Sequence, residues 1–304
     1  DVSMIKNGQV RTASEMSVSG YPVLIPNIDI HTIGSGGGSI AWVDAAGALH
    51  VGPKSAGADP GPVCYDQGGT EPTITDALVS SGYIDPNNFL GGEKVLNRNS
   101  AREAIHKKIC KPLNVDFETG CRGILRVALS NMVEGIKRIL FKEGDDARDF
   151  SLLIYGGAGP LFGAALIDQL EMPSVIVPVG PATFSAWGML HADLRYDFSQ
   201  TQLYERTDTT DFVGINKRIQ ELINDGMDVL KKEGIPSDKC ISFKALDLRY
   251  PGQEHSVTLP VDYSLEKHNR DRLYEDFTRL YRRTYGYQID QPAEIATLRV
   301  TCIG

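Results

Sequence analysis

The stretch that most constrains the fold is Ser151–Phe162, with the sequence SLLIYGGAGPLF. An apolar segment, Ser151–Tyr155, runs directly into Gly156–Gly159, and Pro160 follows where a helix would begin. Glycine permits positive φ and close approach of the backbone to a ligand, and proline suits the first turn of a helix. A helix N-terminus also offers N–H groups to an anion. The pattern predicts a strand, a glycine turn and a helix, either as a ligand site or as an ordinary turn of an α/β protein.

Length and charge restrict the classes of function. The 304 residues are enough for two domains, and 41% hydrophobic with 23% charged residues is typical of a globular protein. The formal net charge of −8 argues against a general nucleic-acid binder and against binding to anionic membranes. No apolar run approaches the roughly 20 residues of a membrane-spanning helix, and no signal peptide is recognisable. We therefore expect no nucleic-acid partner and no membrane partner.

The cysteines indicate a reducing compartment. The chain has five of them, with no CxxC pair: Cys64, Cys110, Cys121, Cys240 and Cys302. An odd, scattered set predicts reduced thiols in a cytoplasmic protein and argues against structural zinc. The chain begins at Asp1 without an initiator methionine, which indicates either processing or a longer parent protein.

A second glycine cluster lies upstream, within Asn27–Val51. Short apolar segments separated by turn residues predict a β-meander there, with strands at Ile28–Ile30, Ser39–Val43 and Ala48–Val51. Its first turn is almost entirely glycine. A turn of this kind is either a ligand site or a mobile hairpin tip.

The residues around this turn have the chemistry of a phosphate site. The N–H groups of Gly36, Gly37 and Gly38 can turn inward as an anion nest, and Ser39 adds a hydroxyl. Asp29 on the preceding segment is a candidate to hold a Mg²⁺ ion that bridges phosphates. The turn is not a Walker A loop, because Ser-Ile follows the glycines in place of Lys-Ser/Thr.

The rest of the chain suggests two domains, 1–196 and 197–304. Residues 52–75 are rich in Gly, Pro and Asp, and so long a stretch without periodicity is usually functional. Thr75-Asp76 is expected to cap a short helix, and the apolar spacing across Phe117–Glu143 predicts a long helix through the core. Strand and helix alternate up to about residue 190, which is typical of an α/β domain. Beyond Asp197 the order β-α-β-β-α-β is that of a smaller α+β ferredoxin-like module.

Taken together, the two glycine motifs have the arrangement of the actin/hexokinase/Hsp70-type (ribonuclease H-like) ATPases. In that arrangement a strand–turn–strand with an acidic residue holds phosphates, and a later strand–GGAG–helix holds adenosine. The chain also resembles the ATP-dependent hydantoinase A/5-oxoprolinase family, which includes N-methylhydantoinase A and the ATP-binding subunit of acetone carboxylase. The resemblance is carried by the segments DIHTIGSGGGSIAWVD, SAGADPGPVCYDQGGTEPTITDA, YGGAGPLFGAAL and FSAWGMLHADLRYDFSQT.

The resemblance implies an enzyme that uses ATP and Mg²⁺ to open a cyclic amide, by phosphorylating its carbonyl oxygen. It implies a phosphate site at Asp29 and Gly36–Ser39, and an adenosine site formed by Gly156, Gly157, Ala158 and Gly159. Gly68, Gly69 and Thr70, together with Asp76 as a second metal candidate, form a weaker site for phosphate, metal or substrate.

Two departures from the family pattern stand out. The near-N-terminal phosphate loop of the GTFTD kind does not occur in this sequence, so we expect this chain to be part of a longer protein and to have little turnover alone. Many relatives have a histidine where Phe162 stands, which bears on the adenosine pocket. The resemblance further implies an oligomer with a B-type subunit or domain.

Two other interpretations stay open at this stage. One is an ATP-driven carboxylase subunit of the acetone carboxylase type, and the other is a non-catalytic piece that docks on a B-type subunit. For single residues, His31 is equally a candidate acid/base group and a structural histidine. For Cys64 a buried thiol is favoured over a nucleophile, and for His191 and Asp193 a structural role is favoured over catalysis.

Overall fold

The computed structural model describes residues 1–13, 16–18, 21–23, 27–210 and 212–304. Within them the chain divides into two compact units, Asp1–Leu190 and His191–Gly304. Residues 191–196, which the sequence-based division assigned to the first domain, lie in the second unit. The reason is strand pairing, since Arg195 and Tyr196 lie opposite Ile303 and Cys302.

The first unit combines short strands with six α-helices among its described residues. Its strands are β1 (Ile5–Lys6), β2 (Gln9–Val10), β3 (Thr12–Ala13), β4 (Met16–Val18), β5 (Tyr21–Val23), β6 (Asn27–Ile28), β7 (Ser39–Val43), β8 (Leu49–Ser55), β9 (Leu152–Leu153) and β10 (Val175–Ile176). Its helices are α1 (Ile74–Ser80), α2 (Arg98–Ile105), α3 (Lys111–Leu113), α4 (Phe117–Glu143), α5 (Gly163–Leu170) and α6 (Phe184–Met189). A π-helical segment, His106–Cys110, joins α2 to α3.

Helix α4 is central to the first unit. Its bounds are the predicted ones, Phe117–Glu143. Asp116 caps its start by accepting a hydrogen bond from the Thr119 N–H, and Gly144 ends it in the left-handed conformation. Its apolar stripe is buried in the main core, with members including Ile124, Ala128, Val133, Ile136 and Leu140. Helical spacing of apolar residues was therefore enough to place this element.

The predicted three-stranded meander is wrong. Strand β6 ends at Ile28 and pairs with β3, whereas β7 and β8 form a two-stranded antiparallel hairpin. Beyond Ile28 the Asp29 N–H donates to Arg11 O, next to the β3–β6 pairing, and His31 makes an isolated bridge with Val2. The N-terminal segment is thus the backbone partner of this stretch, in place of strand β7, which the meander would have required.

The short helix α1 is capped two residues earlier than predicted. Thr73 is its N-cap, and Thr73 and Asp76 form a reciprocal capping box. The two positions that the sequence suggested as the cap, Thr75 and Asp76, lie inside the first turn of the helix.

The second unit has the predicted β-α-β-β-α-β order. Its elements are β11 (Arg195–Arg206), α7 (Val213–Lys232), β12 (Ile241–Arg249), β13 (Val257–Pro260), α8 (Arg270–Tyr285) and β14 (Glu294–Ile303). The sheet order is β11-β14-β12-β13, and every neighbouring pair is antiparallel. Each β-α-β crossover therefore skips one strand, which is the split arrangement expected of such a module.

Amphipathic helices cover one face of this sheet. Helix α7 buries Ile215, Ile219 and Leu230, and α8 buries Leu273 and Phe277. Helix α7 approaches the sheet closely at Gly226, where a Cβ would lie 2.4 Å from Cys302 Sγ. Among the described residues, no helix is both long enough and apolar enough to span a bilayer. The chain as a whole is α/β, with the smaller unit of the α+β type.

Candidate active site at the two glycine motifs

The first glycine turn, residues 34–38, is shaped by Ser39 at the start of β7. Ser39 Oγ accepts a hydrogen bond from Gly36 N–H at 2.9 Å and donates one to Gly34 O at 3.2 Å. The Ser39 side chain is buried. Its hydroxyl therefore holds the backbone of the turn in place, a role that the sequence did not suggest.

Hydrogen bonds connect this turn to the N-terminus of α1. Gly37 O accepts hydrogen bonds from both the backbone N–H and the Oγ1 of Thr75, each at 2.9 Å. A Cβ built on Gly37 would lie 2.7 Å from Thr75 Oγ1 and 3.8 Å from the Cβ of Ala158. The second distance shows that Gly37 lies close to the other glycine motif, since only an added Cβ would reach van der Waals contact with it. The fold thus brings together two motifs that lie far apart in the sequence.

The second motif follows the short parallel strand β9. Gly156 has φ of +91° and its N–H donates to Pro181 O at 2.8 Å. The predicted helix begins as a 3₁₀ turn at Gly159–Phe162, with Pro160 in its first turn, and continues as α5. Phe162 is 5% exposed and belongs to the main core. The position that carries histidine in many relatives therefore has a packing role here.

The two motifs leave backbone donors available where they meet. Within the described part of the chain, no protein acceptor takes the N–H of Gly37 or of Gly157. Gly157 is exposed, and a Cβ there would meet nothing within 4 Å. Backbone N–H groups beside open space are suited to an anion such as a phosphate.

Asp29 has cationic neighbours in the structure. Its Oδ2 lies 3.0 Å from Arg11 Nε and 3.8 Å from Lys142 Nζ. A carboxylate oxygen that is paired with two cations is a poor ligand for Mg²⁺, because the ion would have to displace them. The role of Asp29 as a metal ligand and catalytic group stays a prediction, as does the role of His31, whose backbone pairs with Val2.

Asp76 is fully buried and its carboxylate already has four donors. Oδ2 accepts hydrogen bonds from the N–H groups of Val63 and Thr73 and from Thr73 Oγ1, and Oδ1 accepts one from Cys64 N–H at 2.7 Å. These bonds tie the loop before α1 to the helix itself. The geometry gives Asp76 a structural role, and its role as a metal ligand stays a prediction.

The remaining predicted positions lie in the loop between β8 and α1. Gly69 packs against backbone, since a Cβ there would lie 2.4 Å from Gly61 O. Gly68 and Thr70 are exposed, and a Cβ on Gly68 would meet nothing within 4 Å. The described residues contain no group of three or more His, Cys, Asp and Glu side chains arranged to hold a metal ion. The part of these three residues in binding stays a prediction.

Cys64 lies under this loop and is fully buried. Burial, followed by the nearby Asp76 carboxylate, raises the pKa of the Cys64 thiol far above its ordinary value. A thiol of this kind is not a nucleophile at neutral pH, because the thiolate is the reactive form. The favoured interpretation, a buried thiol, agrees with this environment.

A small open cavity of about 320 Å³ adjoins the first glycine turn and is lined by Ile33, Gly34, Trp42, His50, Val51, Gly52, Pro53, Val127 and Asn131. His50 Nε2 lies 2.7 Å from Asp44 Oδ2, and the Trp42 ring stacks on the His50 ring at 4.6 Å. The hydrogen bond with His50 lowers the pKa of the Asp44 carboxyl below its ordinary value. Sequence reasoning gave His50 no role, although Asp44 and His50 flank one hairpin turn and could have been paired from that alone.

Comparison with known proteins identifies relatives of this chain. The chain is 36% identical to the alpha subunit of the caprolactamase of Pseudomonas jessenii, over 100% of this chain and 44% of that protein. It is 37% identical to the acetophenone carboxylase gamma subunit of Aromatoleum aromaticum, over 83% of this chain and 35% of that protein. It matches the crystal structure of ATP-dependent caprolactamase from Pseudomonas jessenii with a TM-score of 0.74 and 34% identity, over 96% of this chain and 43% of that one.

The chain thus spans less than half the length of these relatives. The family model described as hydantoinase/oxoprolinase matches residues 1–198, which contain both glycine motifs and the loop between them. On this match, the chain belongs to the hydantoinase/oxoprolinase family.

Proposed function

We propose that this chain carries an ATP site of an ATP-dependent cyclic-amide hydrolase, in which phosphorylation of a lactam or hydantoin carbonyl prepares the ring for opening. The observation that supports this most is the closeness of Gly37 to Ala158, since a Cβ added to Gly37 would lie 3.8 Å from the Ala158 Cβ. Two motifs that are each ambiguous alone therefore lie side by side.

The residues of the site have separate tasks in this proposal. The N–H groups of Gly37 and Gly157 donate to phosphate oxygens, and the start of the Gly159–Phe162 turn adds the positive end of a short helix. Ser39 and Thr75 bind no phosphate themselves, since their hydroxyls keep the Gly34–Gly38 backbone in shape. Donors that are held in place before the ligand arrives stabilise developing charge without reorganisation.

The reaction needs this kind of assistance because an amide carbonyl is a weak electrophile. When the carbonyl oxygen attacks the γ-phosphorus, an O–P bond forms, the bond to the β-phosphate oxygen breaks and ADP leaves. Water then attacks the ring carbon that bears the phosphorylated oxygen, the ring C–N bond breaks and the nitrogen takes up a proton. A second water releases phosphate from the resulting acyl phosphate, which leaves the ring-opened carboxylate. ATP binding is assigned here to the glycine motifs, and ring opening to the assembly with a B-type subunit.

Nucleotide binding is tested by calorimetric titration of Mg·ATP and Mg·ADP into this chain, with Gly157→Val as the control. Saturable binding that the valine abolishes supports the site, because its side chain would occupy the space beside the Gly157 N–H. If neither nucleotide releases heat nor raises the melting temperature, the assignment of an ATP site to this chain fails. Turnover is then measured on the longer polypeptide together with its B-type partner, through phosphate release that depends on hydantoin, oxoproline or caprolactam.

The second candidate function is that of an ATP-driven carboxylase component. It is favoured by the similarity to the acetophenone carboxylase gamma subunit, which equals that to the caprolactamase subunit within one percentage point, at 37% against 36%. The two functions differ in their products. A ring-opened amino acid would identify the hydrolase, whereas a carboxylated ketone formed from bicarbonate would identify the carboxylase.

A further inference from the structure

Three aromatic rings form a cluster beside the second glycine motif. The Tyr155 and Phe184 rings lie 5.2 Å apart between centroids, and the Phe184 and Trp187 rings are nearly parallel, 5.4 Å apart with an interplanar angle of 13°. Tyr155 is 44% exposed and Trp187 is 53% exposed. Helix α6, which carries two of the three rings, contributes no buried residue. Two of the three rings are therefore accessible to a ligand.

The cluster is attached directly to the glycine motif. Tyr155 immediately precedes Gly156, whose N–H donates to Pro181 O. Pro181 begins the 3₁₀ turn Pro181–Thr183, which leads without a break into α6. The rings are therefore positioned by the same backbone that forms the turn.

Distance along the chain links the rings to the place where the two motifs meet. Ala158, which faces Gly37, is only three residues beyond Tyr155, and three residues span at most about 10 Å. In a nucleotide the ribose separates the base from its phosphates by a comparable span. A nucleotide with its phosphates at the Gly37 and Gly157 amides can therefore extend its base to the rings.

We propose that Tyr155, Phe184 and Trp187 are a stacking platform for the purine base of the bound nucleotide. This inference rests on the proposed function, because it needs the phosphates at the glycine motifs. Aromatic faces bind nucleobases by stacking, which buries apolar ring area and removes exposed rings from water. The alternative occupant, an apolar surface of another polypeptide segment, gives a different result in the following experiment.

The chain has two tryptophans, so once one is replaced, tryptophan fluorescence reports on the platform alone. In the Trp42→Phe variant Trp187 is the remaining tryptophan, and it is excited selectively over the tyrosines. This variant is titrated with Mg·ATP and, separately, with magnesium tripolyphosphate, which has the phosphates but no base. We expect saturable quenching or a spectral shift of Trp187 with Mg·ATP and none with tripolyphosphate, while both ligands raise the melting temperature.

Affinity provides the second measurement. Trp187→Ala and Phe184→Ala should each weaken Mg·ATP about tenfold, the change expected for loss of one stacking ring. Both should leave tripolyphosphate affinity unchanged, and Trp187→Tyr, which retains a ring, should recover most of the affinity. The substituted Trp187 side chain is largely exposed, so these variants are expected to fold.

The outcomes separate the two claims. If both ligands bind but Trp187 does not respond and Trp187→Ala binds Mg·ATP like the parent, the platform is excluded and the phosphate site stands. If Trp187 responds equally to tripolyphosphate, the signal reports closure of a protein surface and the stacking proposal is likewise excluded. If neither ligand shifts the melting temperature, the proposed ATP site itself is excluded.

Discussion

The two glycine motifs use glycine for opposite reasons. In the first motif glycine is required by the protein, because a Cβ on Gly37 or Gly38 would lie 2.7 Å from Thr75 Oγ1 or 2.9 Å from Ser55 Oγ. In the second motif a Cβ on Gly156 or Gly157 would meet nothing within 4 Å. Positive φ explains Gly156, whereas neither packing nor positive φ explains Gly157.

This difference distinguishes a glycine turn that supports the fold from one that, in the proposed function, binds the nucleotide. The first turn is a packed element, held by Ser39, Thr75 and the buried capping box beneath them. The second turn is open, and in the proposed function its missing side chain leaves room for the nucleotide. A substitution in the first motif should therefore reduce stability, and one in the second should reduce binding.

The largest expected effect is a loss of stability when the hydrogen bonds of Asp76, beneath the first glycine turn, are disturbed. Asp76→Asn replaces a carboxylate that accepts three backbone N–H bonds by an amide whose NH₂ group must face one of these donors. We expect a loss of about 3 kcal/mol in the free energy of unfolding, measured by urea denaturation. Asp66→Asn, at an exposed position, is the control and should change stability by less than about 0.5 kcal/mol. If the two variants were equally stable, the structural role of Asp76 would be contradicted.

The next effect tests the packing of the first turn. Gly37→Ala forces the Thr75 side chain to move away from its 2.9 Å hydrogen bond with Gly37 O, and should cost about 2 kcal/mol. Gly36→Ala is the matched control in the same turn, because a Cβ there would meet nothing within 4 Å. If the two alanines destabilise equally, the turn is not packed as described.

Gly157→Ala tests the other side of the comparison. Its stability should stay within about 0.5 kcal/mol of the parent, since the added Cβ meets no protein atom within 4 Å. Its affinity for Mg·ATP should fall on the order of tenfold, because the methyl group narrows the space beside the donor. Titration calorimetry with parallel denaturation measures both quantities. Unchanged affinity would assign Gly157 no part in binding.

The smallest expected effect is a difference among the cysteines in their reactivity toward a labelling reagent. Burial is the first cause that raises the pKa of the Cys64, Cys110, Cys121 and Cys302 thiols above the ordinary value, whereas Cys240 is partly exposed. We expect iodoacetamide at pH 8 to label Cys240 in the native protein and to leave the other four unmodified, as measured by peptide mass spectrometry. The Asp76→Asn variant should label Cys64 faster than the parent does, and Gly157→Ala should not. Rapid labelling of Cys64 in the native parent would contradict its buried environment.

Sequence reasoning succeeded where the signal is local. Helical spacing placed α4, and the β-α-β-β-α-β order of the second unit was readable from alternating periodicities. It failed where a distant segment competes for hydrogen bonds. The segment expected to pair with β7 makes its backbone hydrogen bonds to the N-terminal residues instead, through Asp29 with Arg11 and through His31 with Val2.

Carboxylate roles show the same limit. The sequence offers Asp29 as a metal candidate and Asp76 as a weaker one, since both lie near glycine-rich loops. In the structure Asp29 is paired with Arg11 and Lys142, and Asp76 is saturated by backbone donors. The availability of a carboxylate depends on partners that periodicity and motif spacing do not identify.

The sequence by itself determined the turns and the amphipathic helices, because glycine, proline and apolar spacing act through neighbouring residues. Only the tertiary structure decided that Gly37 and Ala158 of the two glycine motifs lie close together, and that the space beside Gly157 is open. The physical reason is that hydrogen bonds such as those from Thr75 to Gly37 O join segments that are distant in the sequence, and neighbouring residues alone do not specify such close packing.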